Sequence, residues 1–121
     1  LAHWHQWIDG GMDVGSHTCH HVKLPNEDDD VARFETEHSK QGLERILGYE
    51  VRHFCYPYGQ FESRHRMMAV HAGYKTATTT RRGRASASSD PYELPRIMIS
   101  CYTNPLQFYL KLLTRYEDRR A

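Results

Sequence analysis

Short β-like stretches alternate with helical ones along most of this chain, and that alternation restricts it to βα units built on a parallel sheet. Met12 to Ser16 reads as a short strand. Val31 to Leu47 is the clearest helix, with the carboxylates of Glu27 to Asp30 before it and Gly48 beyond its end. Its buried stripe is expected from Val31, Phe34, Leu43, Ile46 and Leu47. Val51 to Tyr56 is the next strand, broken sharply by Pro57, Tyr58 and Gly59. A helix from about Glu62 to Ala72 follows, closed by Gly73, which suits the left-handed position after a helix. Tyr74 to Thr80 is β-rich, Arg81 to Asp90 is a polar loop, and Leu94 to Ser100 is a further strand. Asn104 caps a last helix with Pro105 at its first position, whose apolar side includes Leu106, Tyr109, Leu110 and Leu113. Ahead of all these, Leu1 to Ile8 reads as the closing turns of a helix, with Trp4, Trp7 and Ile8 on a core-facing stripe and Gly10-Gly11 as its stop.

Four strands with their helices are too few to close a (β/α) barrel, which takes ~250 residues. The chain has 121 and opens on Leu1 rather than methionine. The expectation is an α/β fold, a partial and incomplete (β/α) barrel with parallel strands and flanking helices. Residues 1–121 would form the C-terminal portion of one larger domain whose earlier strands precede this chain.

Composition narrows the function classes. Sixteen Lys and Arg against fifteen Asp and Glu give a net charge of +1, so no bulk field draws the chain to nucleic acid or an anionic membrane. Arg81-Arg82-Gly83-Arg84 is basic, but a short run in a Ser/Gly loop reads as solvated, and no nucleic-acid partner is expected. No apolar run approaches the ~20 residues of a membrane span. Cys19, Cys55 and Cys101 are odd in number and far apart, which argues against a disulfide framework or a CxxC knuckle.

The composition is unusual in its 9 histidines, three of which fall within Gly15-Ser16-His17-Thr18-Cys19-His20-His21. A strand ends there, and a loop passing into a helical turn can aim His17 and His21 at one point. Imidazole nitrogens are standard Zn²⁺ ligands, yet two ligands are not a site, and a bare HxxxH is equally what a histidine-rich surface shows.

Context carries the argument further. Gly11-Met12-Asp13-Val14-Gly15-Ser16-His17-Thr18 resembles the second motif of polysaccharide deacetylases, in which a strand leads into His-[Ser/Thr]-x-x-His. Arg52-His53-Phe54-Cys55-Tyr56-Pro57-Tyr58-Gly59 resembles the third motif in its Phe-x-Tyr-Pro-Tyr-Gly variant. Gly73-Tyr74-Lys75, Thr78 to Arg84, Asp90-Pro91 and Leu94-Pro95-Arg96-Ile97 resemble the same branch in order and spacing. The chain thus resembles the NodB-homology polysaccharide deacetylases, carbohydrate esterase family 4, over nearly its whole length.

The resemblance implies metal-dependent hydrolysis of N-acetyl groups on an acetylated polysaccharide or oligosaccharide, with Zn²⁺ or another divalent metal as cofactor. His17 and His21 would be the metal ligands, Thr18 would brace the loop, and Cys19 and His20 would not ligate. Pro57 and Tyr58 would form a wall of the substrate groove, and the Tyr58 backbone N–H would serve the oxyanion hole; read structurally, the same three residues are a tight turn with an aromatic plug. Cys55 stands where many relatives carry an arginine that orients the catalytic base. Arg96 is the candidate to take over that carboxylate contact, or else a surface arginine. In the family the third ligand and the base come from a Thr-Phe-Asp-Asp-Gly segment, which this chain lacks. Asp28-Asp29-Asp30 opens a helix and does not replace it, and no Leu-x-x-His closes the chain. In the branch it resembles, the acid histidine lies near the protein's N-terminus. The competing reading is a degenerate deacetylase-like domain that binds carbohydrate or metal without turnover. By family, the location would be the cell envelope, periplasmic or secreted.

Overall fold

The computed structural model describes residues 2–118, with side chains from Trp4 on, so Leu1 of the expected first helix lies outside the described residues. Element order is α1 (Ala2–Asp9), α2 (Asp29–Leu47), β1 (His53–Cys55), α3 (Ser63–His71), β2 (Thr76–Arg82), β3 (Leu94–Arg96) and α4 (Pro105–Leu113), with 3₁₀ turns at Leu24–Asn26 and Pro57–Gly59. The strands form one parallel sheet in the order β1-β2-β3. Phe54 lies beside Ala77 in the register, and Thr78 beside Leu94.

Local chemistry sets the boundaries. Asp28 caps α2 by accepting from the Val31 N–H at 2.9 Å, and Gly48 ends it with φ 74°. Free N–H groups at the helix start meet a carboxylate, and a left-handed residue at the end meets no Cβ penalty. Gly73, at φ 82°, follows α3 in the same way. Asn104 and Gln107 close a reciprocal capping box on α4, with Pro105 in its first turn.

The core cluster joins Phe54 and Ala77 of the sheet to Ala32 and Leu47 of α2 and Met68 and Ala69 of α3. Tyr56 stacks on Phe61 with centroids 4.4 Å apart and donates its hydroxyl to the Tyr92 carbonyl. Tyr92 donates in turn to the Tyr74 carbonyl. Burial pushes the phenols of Tyr56 and Tyr74 above their usual pKa, so both stay neutral. On the opposite face, His53, Cys55, Thr76 and Thr78 line a groove of about 350 Å³ with Gly15 and His17.

Several expectations are corrected. Met12 to Ser16 is not a full strand. It contributes a single parallel bridge, Ser16 to Phe54, made by the Ser16 N–H to His53 and the Cys55 N–H to Ser16. Gly15 permits that approach, since a Cβ there would sit 3.1 Å from the His53 carbonyl oxygen. The last strand is Leu94–Arg96 rather than Leu94 to Ser100, and Arg81 and Arg82 belong to β2 rather than to the loop.

The buried stripe of α2 differs most. Val31, Phe34 and Ile46 are exposed, Leu43 is half-buried, and the inward face is Ala32, Glu35, Thr36, Ser39, Lys40 and Leu47. Polar groups face inward because each finds a partner there: Lys40 donates to Glu44 and to the Val51 carbonyl, and Ser39 to the Thr36 carbonyl. Hydrogen bonding offsets their desolvation, which hydropathy periodicity does not register. Trp4 and Trp7, expected in the core, are 50% and 61% exposed. Likewise Leu106, Tyr109 and Leu113 of α4 are exposed, and Lys111 is the buried residue, bonded to the Met98 carbonyl and to Glu117.

Candidate active site

The chain leaves the sheet at Ser16, whose buried hydroxyl donates to Ser39 on α2 at 2.7 Å. His17 follows at once. Its Nδ1 lies 2.6 Å from the Cys55 carbonyl oxygen, which only accepts, so Nδ1 is the donor and the neutral tautomer this bond selects is the one with its lone pair on Nε2. A carbonyl on Nδ1 is how metal-binding imidazoles are commonly oriented.

Thr18 ties the two candidate ligands together. Its hydroxyl donates to the His17 carbonyl at 2.6 Å and accepts from the His21 N–H at 3.0 Å. The rings of His17 and His21 meet edge to face with centroids 4.8 Å apart, and His21 meets Tyr58 at the same separation. Thr18, His21 and Tyr58, at φ 65°, 56° and 59°, are the non-glycine residues with positive φ among the described residues. For a β-branched threonine this conformation is costly, and strain of this kind persists where the surroundings over-determine it. That all three sit in one cluster marks the site independently of the histidines.

Glu35 is the support that sequence reading missed. It is 3% exposed, and its Oε2 accepts the N–H groups of Cys19 and His20 at 2.8 and 2.9 Å while Oε1 meets His20 Nδ1 at 2.5 Å. Burial pushes its carboxyl up, but the His20 side chain and the two backbone donors outweigh that, so its pKa lies below the usual glutamate range. Partial burial and then the Glu35 charge raise the pKa of Cys19, which keeps it a neutral thiol. The one available signal for Glu35 was its place at helical spacing on the face of Ala32, Thr36 and Ser39.

A depressed carboxylate pKa stabilises the loop above the unfolded pKa, and that contribution disappears as pH falls through the folded value. Glu35→Gln is therefore expected to flatten the loss of stability that the wild type shows on acidification through and below the carboxylate range. Glu35→Ala leaves two amides without a partner and is expected to cost about 2 kcal/mol near neutral pH. Denaturant titrations across pH check both; unchanged profiles would remove Glu35 from this role.

The turn Pro57–Gly59 forms the other wall. The N–H of Gly59 donates to the Tyr56 carbonyl and that of Gln60 to Pro57. Thr80 Oγ1 donates to the Tyr58 carbonyl at 3.3 Å. The Tyr58 N–H donates to no acceptor among the described residues.

Arg96 and His17 line different grooves. Arg96 ends β3, separated from β1 by β2, and lines a groove of about 310 Å³ with Thr80, Arg82 and Met98. Its guanidinium makes no hydrogen bond or ion pair with the described residues. The aspartates are engaged elsewhere: Asp13 with Arg52 and His53, Asp90 with Arg66, Asp29 with Arg64, and Asp28 in the cap. Among the described residues no three His, Cys, Asp or Glu side chains are placed to hold a metal ion. His17 and His21 are thus two neighbouring imidazoles of the kind a zinc site uses, and no third donor stands with them among the described residues.

A family model for polysaccharide deacetylases matches residues 3–77, which include the histidine loop, Glu35 and the Tyr58 turn. The chain belongs to the polysaccharide deacetylase family. Among solved deacetylase structures, the Streptococcus pyogenes deacetylase PplD in complex with acetate is 28% identical, with a TM-score of 0.84 over 88% of this chain and 47% of that one. BC0361, a polysaccharide deacetylase from Bacillus cereus, is 26% identical with a TM-score of 0.82, covering 92% of this chain and 35% of that one. BA0330 from Bacillus anthracis is 25% identical with a TM-score of 0.80, covering 91% and 35%. A comparison with curated protein sequences gave no match. The sheet and its helices match part of the NodB-type deacetylase fold, and the chain spans less than half the length of these structures.

Proposed function

We propose that this chain supplies one side of the active site of an enzyme that hydrolyses N-acetyl groups on a polysaccharide or oligosaccharide of the cell envelope. The observation that carries the reading is the locked tautomer of His17, whose Nε2 is freed beside His21 by the bond from Nδ1 to the Cys55 carbonyl. His17 and His21 would hold Zn²⁺ or another divalent metal, together with a carboxylate from outside residues 1–121. The metal, when bound, supplies Lewis-acid polarisation of the acetyl carbonyl and lowers the pKa of bound water. Pro57 and the Tyr58 ring form a wall against the sugar. The Tyr58 N–H donates to the oxygen that becomes negative as the carbonyl is attacked, which suits a donor with no acceptor among the described residues. Arg96, whose groove shares Thr80 with the Tyr58 turn, orients the carboxylate that acts as base. That base and the acid that protonates the departing amine come, with the third ligand, from the rest of the domain.

The test uses the complete open reading frame that carries this chain. Amine release from acetylated chito-oligosaccharides is measured alongside zinc content. His17→Ala and His21→Ala are each expected to weaken zinc binding by more than about a hundredfold and to reduce turnover to background. His20→Ala is expected to leave both largely intact, because the Cys19 and His20 amides still hold Glu35. Equal zinc loss from all three variants would sink the ligand assignment. A wild-type protein that binds zinc and glycan without releasing amine would instead favour the degenerate domain.

A further inference from the structure

Among the described residues, Lys23 is the cation set against the Tyr58 wall. Its Nζ lies 5.2 Å from the Tyr58 ring centroid, and the same ring packs edge to face against His21. The residue is exposed, yet its backbone is fixed. Leu24 beside it is fully buried, the Lys23 carbonyl accepts the Asn26 N–H at 2.8 Å, and Arg64 of α3 donates to the carbonyls of Pro25 and Glu27 in the same turn.

No carboxylate among the described residues pairs with the Lys23 ammonium. Three carboxylates around the loop have other partners: Asp29 and Glu62 hold Arg64, and Glu35 holds the histidine loop. An ammonium set over an aromatic ring without a carboxylate partner recognises an anion that arrives with the ligand, because the exposed head offers the ring one side and keeps N–H donors open to solvent on the other.

We propose that Lys23 reads charge on the substrate, favouring an acetylated glycan that carries a carboxylate or phosphate next to the acetamide under attack. The proposal rests on the deacetylase reading for the identity of the ligand and adds to it a substrate class that the two histidines do not determine. Lys23 acts on affinity, by pairing with the fixed anion, and takes no part in the bond-breaking step.

The experiment compares three acetylated oligosaccharides of equal length on the complete protein: a neutral chito-oligosaccharide, one with a lactyl carboxylate on alternate sugars, and one with a phosphate ester. Affinity is read in the cold by ligand-observed NMR, and kcat/KM separately by amine release. The wild type is expected to prefer an anionic glycan about fivefold at low salt, and less at high salt. Lys23→Gln abolishes the preference without changing affinity for the neutral glycan, Lys23→Arg keeps it, and Lys23→Glu inverts it. Whether the carboxylate or the phosphate shows the larger preference identifies the group recognised. Equal loss on neutral and anionic glycans, or no charge preference in the wild type, overturns the proposal. Charge-selective binding without amine release would count against deacetylation and leave the role of Lys23 supported.

Discussion

Gly59→Ala is expected to lower stability by about 3 kcal/mol and the melting temperature by roughly 10 to 15 °C. A Cβ built on Gly59 would lie 2.1 Å from Thr80 Oγ1, 2.5 Å from the Thr80 backbone nitrogen and 2.8 Å from its Cβ. The residue also sits at φ 68°, which alanine adopts only at a cost of about 1 kcal/mol. Relief is unavailable, because the backbone nitrogen belongs to β2 in the middle of the sheet. Thr80→Ala added to Gly59→Ala should therefore recover little. Thermal unfolding by circular dichroism measures it, and a variant melting within a few degrees of the wild type would show that the turn is not pinned to β2.

Removing the Tyr58 N–H is expected to reduce kcat by about 100- to 1,000-fold with little change in melting temperature. Replacing the residue by its hydroxy-acid analogue turns that N–H into an ester oxygen and keeps the ring, the turn and the carbonyl that accepts from Thr80. Proline would not isolate the donor, since its ring holds φ near −65° and Tyr58 sits at 59°. Tyr58→Phe should retain most activity, as no role is assigned to the hydroxyl. Single-turnover amine release by the ester variant at the wild-type rate would eliminate the oxyanion assignment.

Both predictions concern three residues whose turn was legible in the sequence and whose strain was not. Pro57-Tyr58-Gly59 announces a break in any βα pattern, but the need for glycine comes from Thr80, a residue from the following strand. The histidine loop behaves in the same way. Its position after a strand-like stretch was legible, whereas the proton on His17 Nδ1 depends on a carbonyl 38 residues away.

The order of the βα units, the capped ends of α2, α3 and α4 and the family motifs, which are local strings, can all be read along the chain. These follow from short-range chemistry: side-chain caps, left-handed glycines and periodic hydropathy act within a few residues. Contacts between distant elements settle which face of α2 is buried, that Trp4, Trp7 and the apolar side of α4 are exposed within the described residues, that Glu35 holds the histidine loop, and that Arg96 and His17 line different grooves. Each of those depends on a partner supplied by another element. A polar group goes inside when a distant donor or acceptor offsets its desolvation, and an apolar one stays outside when no neighbour covers it.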